Sequence, residues 1–295
     1  MVRKRKKKNK SIVLFIFIVL IIIGIYFITN NPKETGDNVK QANVTEDTKD
    51  NTKDEITLEE KLAQEKYFIK NNLKRYVDYY NKNNSLSLNK VITDVNANLD
   101  KEKYKDVFET DLSKGNLMLV NKYYYLKDNY IPNDLVVLTD EYNIGKNNTM
   151  RKVAADAFME MSNAALLENI SIKNASAFRS YDYQVTLYNN YVSKDGKEAA
   201  DTYSARPGFS EHQTGLATDI NQINSGFENT DAFKWLDKNA HKYGFILRFP
   251  KNKEDVTGYT YESWHYRYVG KEVAKIIKDE NLTLEEYYAY YVEGQ

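Results

Sequence analysis

The chain has no cysteine and only three histidines among its 295 residues. The lack of cysteine excludes disulfides, thiolate metal sites, thiol nucleophiles and a lipid anchor attached to an N-terminal cysteine. It does not fix the cellular compartment. The sequence also has no glycine-rich nucleotide-binding loop. With so few histidines, the position of each one matters in the search for a functional site.

The formal net charge is zero, but the charge is unevenly distributed. Seven basic residues and no acidic ones lie within residues 1–10, which leaves 35 basic against 42 acidic residues after position 10. That remainder carries a net charge of −7. Nucleic-acid binding requires a basic surface, so this balance argues against a nucleic-acid partner.

Residues 12–28 follow the basic cluster and are apolar except for Gly24 and Tyr26. As a helix this segment would span ~25 Å, just enough for a slightly thin bilayer. Flanking positive charge stays in the cytoplasm, so we expect a single-pass membrane anchor with the rest of the chain outside the cell. The alternative is a cleaved signal peptide, but residues 27–32 offer no small-x-small cleavage site.

Four regions are predicted along the chain. Residues 1–29 form a cytoplasmic basic segment and the transmembrane anchor, and residues 30–56 are too polar to bury a core and form a disordered linker. Residues 57–110 contain two amphipathic helices, over 57–81 and 87–99, in a small helical element packed on the main domain. Residues 111–295 form that main domain.

The main domain is predicted to be α+β, with a central antiparallel sheet and flanking helices, because its elements do not alternate as regular βαβ units. Strands are predicted over residues 117–120, 135–138, 175–178, 245–249 and 259–268. Helices are predicted over residues 150–168, 181–192, 198–205, 231–243, 271–278 and 284–292.

Two of the histidines lie near acidic residues at informative spacings. His212 and Asp219 are seven apart, and an odd separation on one strand places two side chains on opposite faces. They can meet only if the chain bends between them, which Gly215 permits. Glu262 and His265 are three apart, so a bulge or turn is needed to bring them together.

With those bends, His212, Asp219 and His265 supply two imidazoles and a carboxylate, the open three-ligand arrangement typical of catalytic zinc. Glu262 then comes near the metal without being forced to bind it. The third histidine, His241, lies in a predicted helix beside two lysines and is interpreted as a structural residue.

These residues fall into two motifs, S-x-H-x-x-G-x-A-x-D at 210–219 and E-x-W-H-x-R at 262–267, with A-F-R-S-Y-x-x-Q upstream at 177–184. Together they resemble the signature of the D-Ala-D-Ala carboxypeptidase family of zinc peptidases, in the wider group that includes lysostaphin and the hedgehog zinc domain. The resemblance covers about residues 115–280. It is greatest to the vancomycin-resistance (VanY-like) D,D-carboxypeptidases and related L,D-carboxypeptidases.

The resemblance implies the hedgehog/D-Ala-D-Ala peptidase fold, with one Zn²⁺ bound by His212, Asp219 and His265. It implies that Glu262 is the general base, which takes a proton from the attacking water and passes it to the leaving amine. Arg179 is implied to stabilise the oxyanion or to hold the terminal carboxylate of the peptide, and a guanidinium suits either role.

Three further side chains have expected places around that centre. Gln184 and Arg179 flank the start of a helix capped by Ser180, so both are expected to face one substrate pocket. Ser210 is expected to donate a hydrogen bond to substrate, its alternative being a turn or capping residue. Trp264 is expected to pack behind the metal.

The implied enzyme is a zinc metallocarboxypeptidase that removes the terminal D-Ala from peptidoglycan stem peptides outside a bacterial membrane. D,D-activity on pentapeptides is the leading interpretation, and L,D-activity on tetrapeptides is the alternative. A D-Ala-D-Ala dipeptidase is disfavoured because an anchor suits a polymeric substrate. A non-catalytic wall-binding module is also considered, but the presence of Glu262 argues against it.

Overall fold

The computed structural model describes residues 56–293 of the chain. Its α-helices are α1 (Leu58–Ala63), α2 (Leu73–Lys82), α3 (Leu88–Asn96), α4 (Lys152–Leu167), α5 (Tyr181–Asp195), α6 (Lys197–Tyr203), α7 (Asp231–Asn239), α8 (Glu254–Thr257), α9 (Lys271–Asp279) and α10 (Leu284–Tyr291). Its strands are β1 (Phe108–Glu109), β2 (Tyr124–Tyr125), β3 (Leu135–Val137), β4 (Thr149–Arg151), β5 (Asn174–Ser176), β6 (Ala217–Ile220), β7 (Phe245–Phe249) and β8 (Glu262–Tyr268).

The central sheet has four strands in the order β5-β6-β8-β7, and every neighbouring pair is antiparallel. This confirms the predicted α+β class with an antiparallel sheet. Two short pairs lie apart from it, β1 with β2 in parallel and β3 with β4 in antiparallel. The functional residues discussed below come mainly from β6, β8 and the turn that leads into β6.

The largest hydrophobic core packs α4 and α7 against one face of this sheet. Alternate residues of β8, Tyr266 and Tyr268, enter it together with Phe245 from β7. From α4, Phe158 meets the Phe245 ring edge to face at 6.2 Å. Each large apolar side chain buried in this way contributes roughly 1.5–3 kcal/mol. The other face of β8 is thereby left for polar side chains.

The N-terminal helices pack against the last helix of the chain. Asn96 in α3 donates from Nδ2 to the carbonyl of Ala289 in α10, and the Thr93 hydroxyl lies 3.2 Å from that of Tyr290. Tyr67 stacks on Tyr290 with ring centroids 4.4 Å apart. The domain boundary placed at residue 110 stays a prediction.

Two predicted elements were wrong. The helix expected over 57–81 is interrupted after α1, where Tyr67 adopts a positive φ of 68°, and resumes through a turn at Lys70–Asn72 into α2. Residues 118–120 form no strand, although all three are buried. An apolar run signals burial, and here the burial comes without strand pairing.

Helix starts were predicted more reliably. Ser87, Ser180 and Thr283 each accept a hydrogen bond from a backbone N–H of the helix that follows, and Thr283 also forms a capping box with Glu286. The anchor predicted over residues 12–28 lies outside the described residues. No helix within residues 56–293 is both long and apolar enough to cross a membrane.

Candidate metal centre

Strand pairing brings the first two members of the centre together. Asp219 on β6 is directly opposite His265 on β8 in the antiparallel ladder. The Nδ1 atom of His265 lies 3.2 Å from Oδ1 of Asp219, and both side chains are almost fully buried. The register of two neighbouring strands therefore joins residues that are far apart in the sequence.

The third member reaches the same place through a tight turn. His212 lies in a 3-10 turn, Glu211–Thr214, which ends at Gly215 with a φ of 68°. A Cβ at Gly215 would also lie 3.3 Å from the backbone nitrogen of Arg151, a close approach that favours glycine. The predicted bend is thus observed, and Nε2 of His212 lies 3.5 Å from Oδ2 of Asp219.

The three side chains fit a metal ion. One ligand atom from each of His212, Asp219 and His265 lies within 4.8 Å of the others. His212 donates from Nδ1 to the Ala177 carbonyl at 2.7 Å, which leaves the Nε2 lone pair facing the cluster with no partner among residues 56–293. A buried acceptor without a donor, beside a carboxylate, is what a divalent cation would satisfy.

Burial and neighbouring charge set the protonation of the two histidines. Burial and the nearby Arg179 lower the pKa of His212 to about 4, so the ring is neutral near pH 7. Burial by itself would lower the pKa of His265 as well, but the neighbouring carboxylates of Asp219 and Glu211 outweigh it and raise the pKa to about 9. A metal at this site would therefore have to displace a proton from His265.

Glu262 reaches the centre through the expected irregularity in β8. Leu247 pairs with Tyr266 and Phe249 with Glu262, so β7 advances two residues while β8 advances four. The Oε2 atom of Glu262 then lies 3.6 Å from Nδ1 of His265. Burial raises the pKa of Glu262 to about 7, a value suited to both accepting and returning a proton near neutrality.

Arg179, Gln184 and Ser210 line one pocket of about 290 Å³ with the metal cluster and Glu262. The Arg179 Nη2 lies 3.8 Å from Oδ2 of Asp219, and its Nε has no hydrogen-bond partner in the described chain. Gln184 donates from Nε2 to the Ala205 carbonyl, while its Oε1 is buried without a partner there. Both side chains thus line the pocket and each keeps one buried polar atom without a partner among the described residues.

The rest of the pocket wall is largely apolar and aromatic. Trp264, expected behind the metal, is half-buried: it packs on the main core and also lines the pocket. His241 lies in a turn at Ala240–Tyr243 and is not among the three residues of the metal cluster, and its structural role stays a prediction. Further lining side chains that the sequence did not reveal include Leu187, Tyr191, Phe209, Ile223, Phe249 and Tyr259.

A buried ionic network adjoins the centre and was also missed. Glu211 lies between two arginines, Arg248 and Arg267, and Arg248 in turn pairs with Glu285 of α10. Arg248 left a signal, since it is the one charged residue in the apolar strand β7. Glu211 left none, because a glutamate beside a histidine looks the same in sequence whether buried or exposed.

Comparison with known proteins gives a consistent result. Residues 147–271 match the family VanY: D-alanyl-D-alanine carboxypeptidase. "Putative carboxypeptidase YodJ" of Bacillus subtilis (strain 168) is 48% identical over 196 residues, which covers 63% of this chain and 72% of that protein.

Two solved structures are also similar. The LD-carboxypeptidase LdcB, described in terms of peptidoglycan recognition, superposes with a TM-score of 0.59 at 45% identity, covering 63% of this chain and 92% of that one. A variant of the vancomycin-resistance D,D-pentapeptidase VanY, in complex with Zn(II), superposes with a TM-score of 0.51 at 33% identity. That match covers 58% of this chain and 98% of the other.

Proposed function

Because this chain belongs to the D-alanyl-D-alanine carboxypeptidase family, whose members act on peptidoglycan peptides, we propose that it is a zinc-dependent carboxypeptidase that removes the terminal D-Ala from stem peptides. One observation carries the proposal. His212, Asp219 and His265 converge in a single pocket with the Glu262 carboxylate beside them.

His212, Asp219 and His265 would hold the ion. When bound, zinc supplies a Lewis acid that polarises the scissile carbonyl and lowers the pKa of water. Glu262 takes a proton from the attacking water and returns it to the leaving amine, and its raised pKa suits both transfers.

We assign substrate orientation to the polar side chains of the pocket wall. The Arg179 guanidinium matches a carboxylate, so we assign it to the terminal carboxylate of the peptide or to the developing oxyanion. The unpartnered Oε1 of Gln184 can accept from a peptide N–H. Ser210, buried in the same pocket, can donate to a substrate oxygen.

Two specificities are compatible with this reaction. D,D-activity on pentapeptides is the specificity predicted from the motifs. L,D-activity on tetrapeptides is the second candidate, and it is favoured by the greater similarity to the LD-carboxypeptidase LdcB than to the D,D-pentapeptidase VanY, at 45% against 33% identity. The two differ in the residue before the scissile bond.

Peptide hydrolysis tests both the reaction and the specificity. We expect release of D-Ala from muramyl tetra- or pentapeptides, loss of release with EDTA, and recovery when zinc is restored. Faster release from the tetrapeptide supports L,D-activity, and faster release from the pentapeptide supports D,D-activity. Undiminished turnover after chelation, or zinc binding without release from either peptide, would refute the proposed enzyme.

We also propose, from the sequence alone, that residues 12–28 anchor the enzyme in a bacterial cell membrane with the catalytic part outside. Fractionation of cells with sizing of the mature protein tests this. Full-length protein is expected in the membrane fraction. A secreted form lacking about 30 N-terminal residues would instead show signal-peptide cleavage.

A further inference from the structure

We propose that Glu211 is a positioning residue for the metal ligand His265: it accepts a hydrogen bond from the Nε2–H of the ring and so leaves Nδ1, as a lone pair, facing the ion. This inference rests on the zinc site proposed above. Glu211 lies beside Nε2 of His265, whereas Nδ1 faces Asp219, so the role of Glu211 is indirect, through the tautomer and orientation of one imidazole.

The two oxygens of the Glu211 carboxylate have different surroundings. Oε1 accepts from Nε of Arg248 at 2.8 Å and from Nη1 of Arg267 at 3.0 Å. Oε2 has no hydrogen-bond partner among residues 56–293, and it lies 3.6 Å from Nε2 of His265, which is also unpartnered and buried. Two complementary orphan atoms therefore face each other, slightly beyond hydrogen-bond distance.

The two histidines of the cluster have the same arrangement of partners around their ring nitrogens. His212 has one nitrogen fixed on the Ala177 carbonyl and the other directed at Asp219. His265 has Nδ1 directed at Asp219, 3.2 Å away, and Nε2 directed at Glu211. Metal-binding histidines generally donate their second N–H to a carboxylate or carbonyl, which fixes the tautomer. Glu211 is placed to do for His265 what the Ala177 carbonyl does for His212.

The arginines keep this carboxylate from turning. Arg267 also donates to the carbonyls of Asn116 and Met118, and Arg248 makes two hydrogen bonds to Glu285. Both guanidinium groups are thus fixed on several sides and hold Oε1 where it is. Since a carboxylate is planar, fixing Oε1 also fixes the direction of Oε2 toward His265.

Replacement of Glu211 by glutamine tests this role. The two arginines can only donate hydrogen bonds, so the amide oxygen of the glutamine would face them. The amide nitrogen would then face Nε2 of His265 and, as a donor, favour the tautomer that carries its proton on Nδ1. We expect the zinc affinity of Glu211→Gln, measured by chelator competition, to fall about 10- to 100-fold. Circular dichroism and thermal melting establish that the variant is folded.

Glu285→Gln is the matched control, since it changes a buried carboxylate of the same network that is hydrogen-bonded to Arg248 and not directed at His265. Its zinc affinity should stay within about threefold of the wild type, well short of the loss expected at Glu211. Equal losses in both variants, or an unchanged affinity in Glu211→Gln, would overturn the inference. Absence of zinc binding in the wild type would instead refute the proposed function.

The wild-type protein provides a second test that needs no variant. With ¹⁵N-labelled histidine only three imidazoles contribute signals. In the zinc-loaded full chain, His265 is expected to show a protonated, slowly exchanging Nε2 and a metal-bound Nδ1. A His265 ring bound through Nε2, or one whose Nε2 proton exchanges freely, would contradict the positioning role.

Discussion

Two buried polar clusters adjoin in this protein, and they differ in how fully they are satisfied. In the arginine network, Arg248 and Arg267 spread their hydrogen bonds over Glu211, Glu285 and backbone carbonyls. In the metal cluster, Nε2 of His212 has no partner within the described part of the chain. Both clusters are almost fully buried, so exposure does not distinguish them.

This difference in hydrogen bonding identifies the arginine network as structural support and the metal cluster as a ligand site. A buried ion pair costs desolvation energy and is tolerated when its donors are all paired, as they are for the two guanidinium groups of the arginine network. Buried polar atoms without a hydrogen-bond partner that face a pocket are typical of a site where a ligand or ion supplies the missing partner. Glu211 belongs to both clusters, since one oxygen faces the arginines and the other faces His265.

The largest effect is expected from Glu262→Gln, which removes the base but no ligand. Turnover should fall about 10²- to 10⁴-fold, since proton transfer by a positioned group contributes that much. Zinc affinity and melting temperature should be close to wild type. Release of D-Ala from stem peptides and chelator competition measure the two quantities.

The exposed Glu272→Gln serves as the control for that variant and should leave turnover unchanged. If Glu262→Gln kept more than about a tenth of wild-type turnover, general-base catalysis by Glu262 would be refuted. If it lost zinc instead, Glu262 would belong with the ligands.

Glu285→Ala tests the arginine network, the structural one of the two clusters. This change leaves Arg248 without its bidentate partner in a fully buried position, so the free energy of unfolding should drop by about 3–5 kcal/mol. Denaturant unfolding measures it, with Glu272→Ala as the exposed control. A loss below about 1 kcal/mol would show that the network contributes no more than a surface pair.

The smallest effect concerns pH. The pKa of His265 is raised to about 9, so this ring must lose a proton to bind an ion below that pH. The apparent zinc affinity should therefore weaken about tenfold for each pH unit of acidification between about pH 8 and pH 6. His212 adds nothing in this range, since its pKa is lowered to about 4. An affinity that is flat over this interval would contradict the raised pKa.

Features that depend on neighbouring residues were predicted correctly from the sequence. Ser87, Ser180 and Thr283 mark helix starts because each side chain bonds to the next turn of its own helix. The bend at Gly215 and the irregularity before His265 were both predicted from odd spacings, since side chains alternate along a strand.

The failures involve contacts between distant segments. The break near Tyr67 accompanies its stacking on Tyr290, more than two hundred residues away. Residues 118–120 are buried without strand pairing, and the Met118 carbonyl accepts a hydrogen bond from Arg267. No local pattern reports such partners.

The sequence by itself determined the class of fold, the family and the candidate ligands. Periodicity, spacing and family motifs can all be read from residues that are close together in the chain. Only the tertiary structure decided what surrounds those ligands. The pairing of Asp219 with His265, the orphan nitrogen of His212 and the two-sided surroundings of Glu211 depend on which strands lie side by side. Hydrogen bonding and burial are properties of neighbours in space, and chain order does not specify those neighbours.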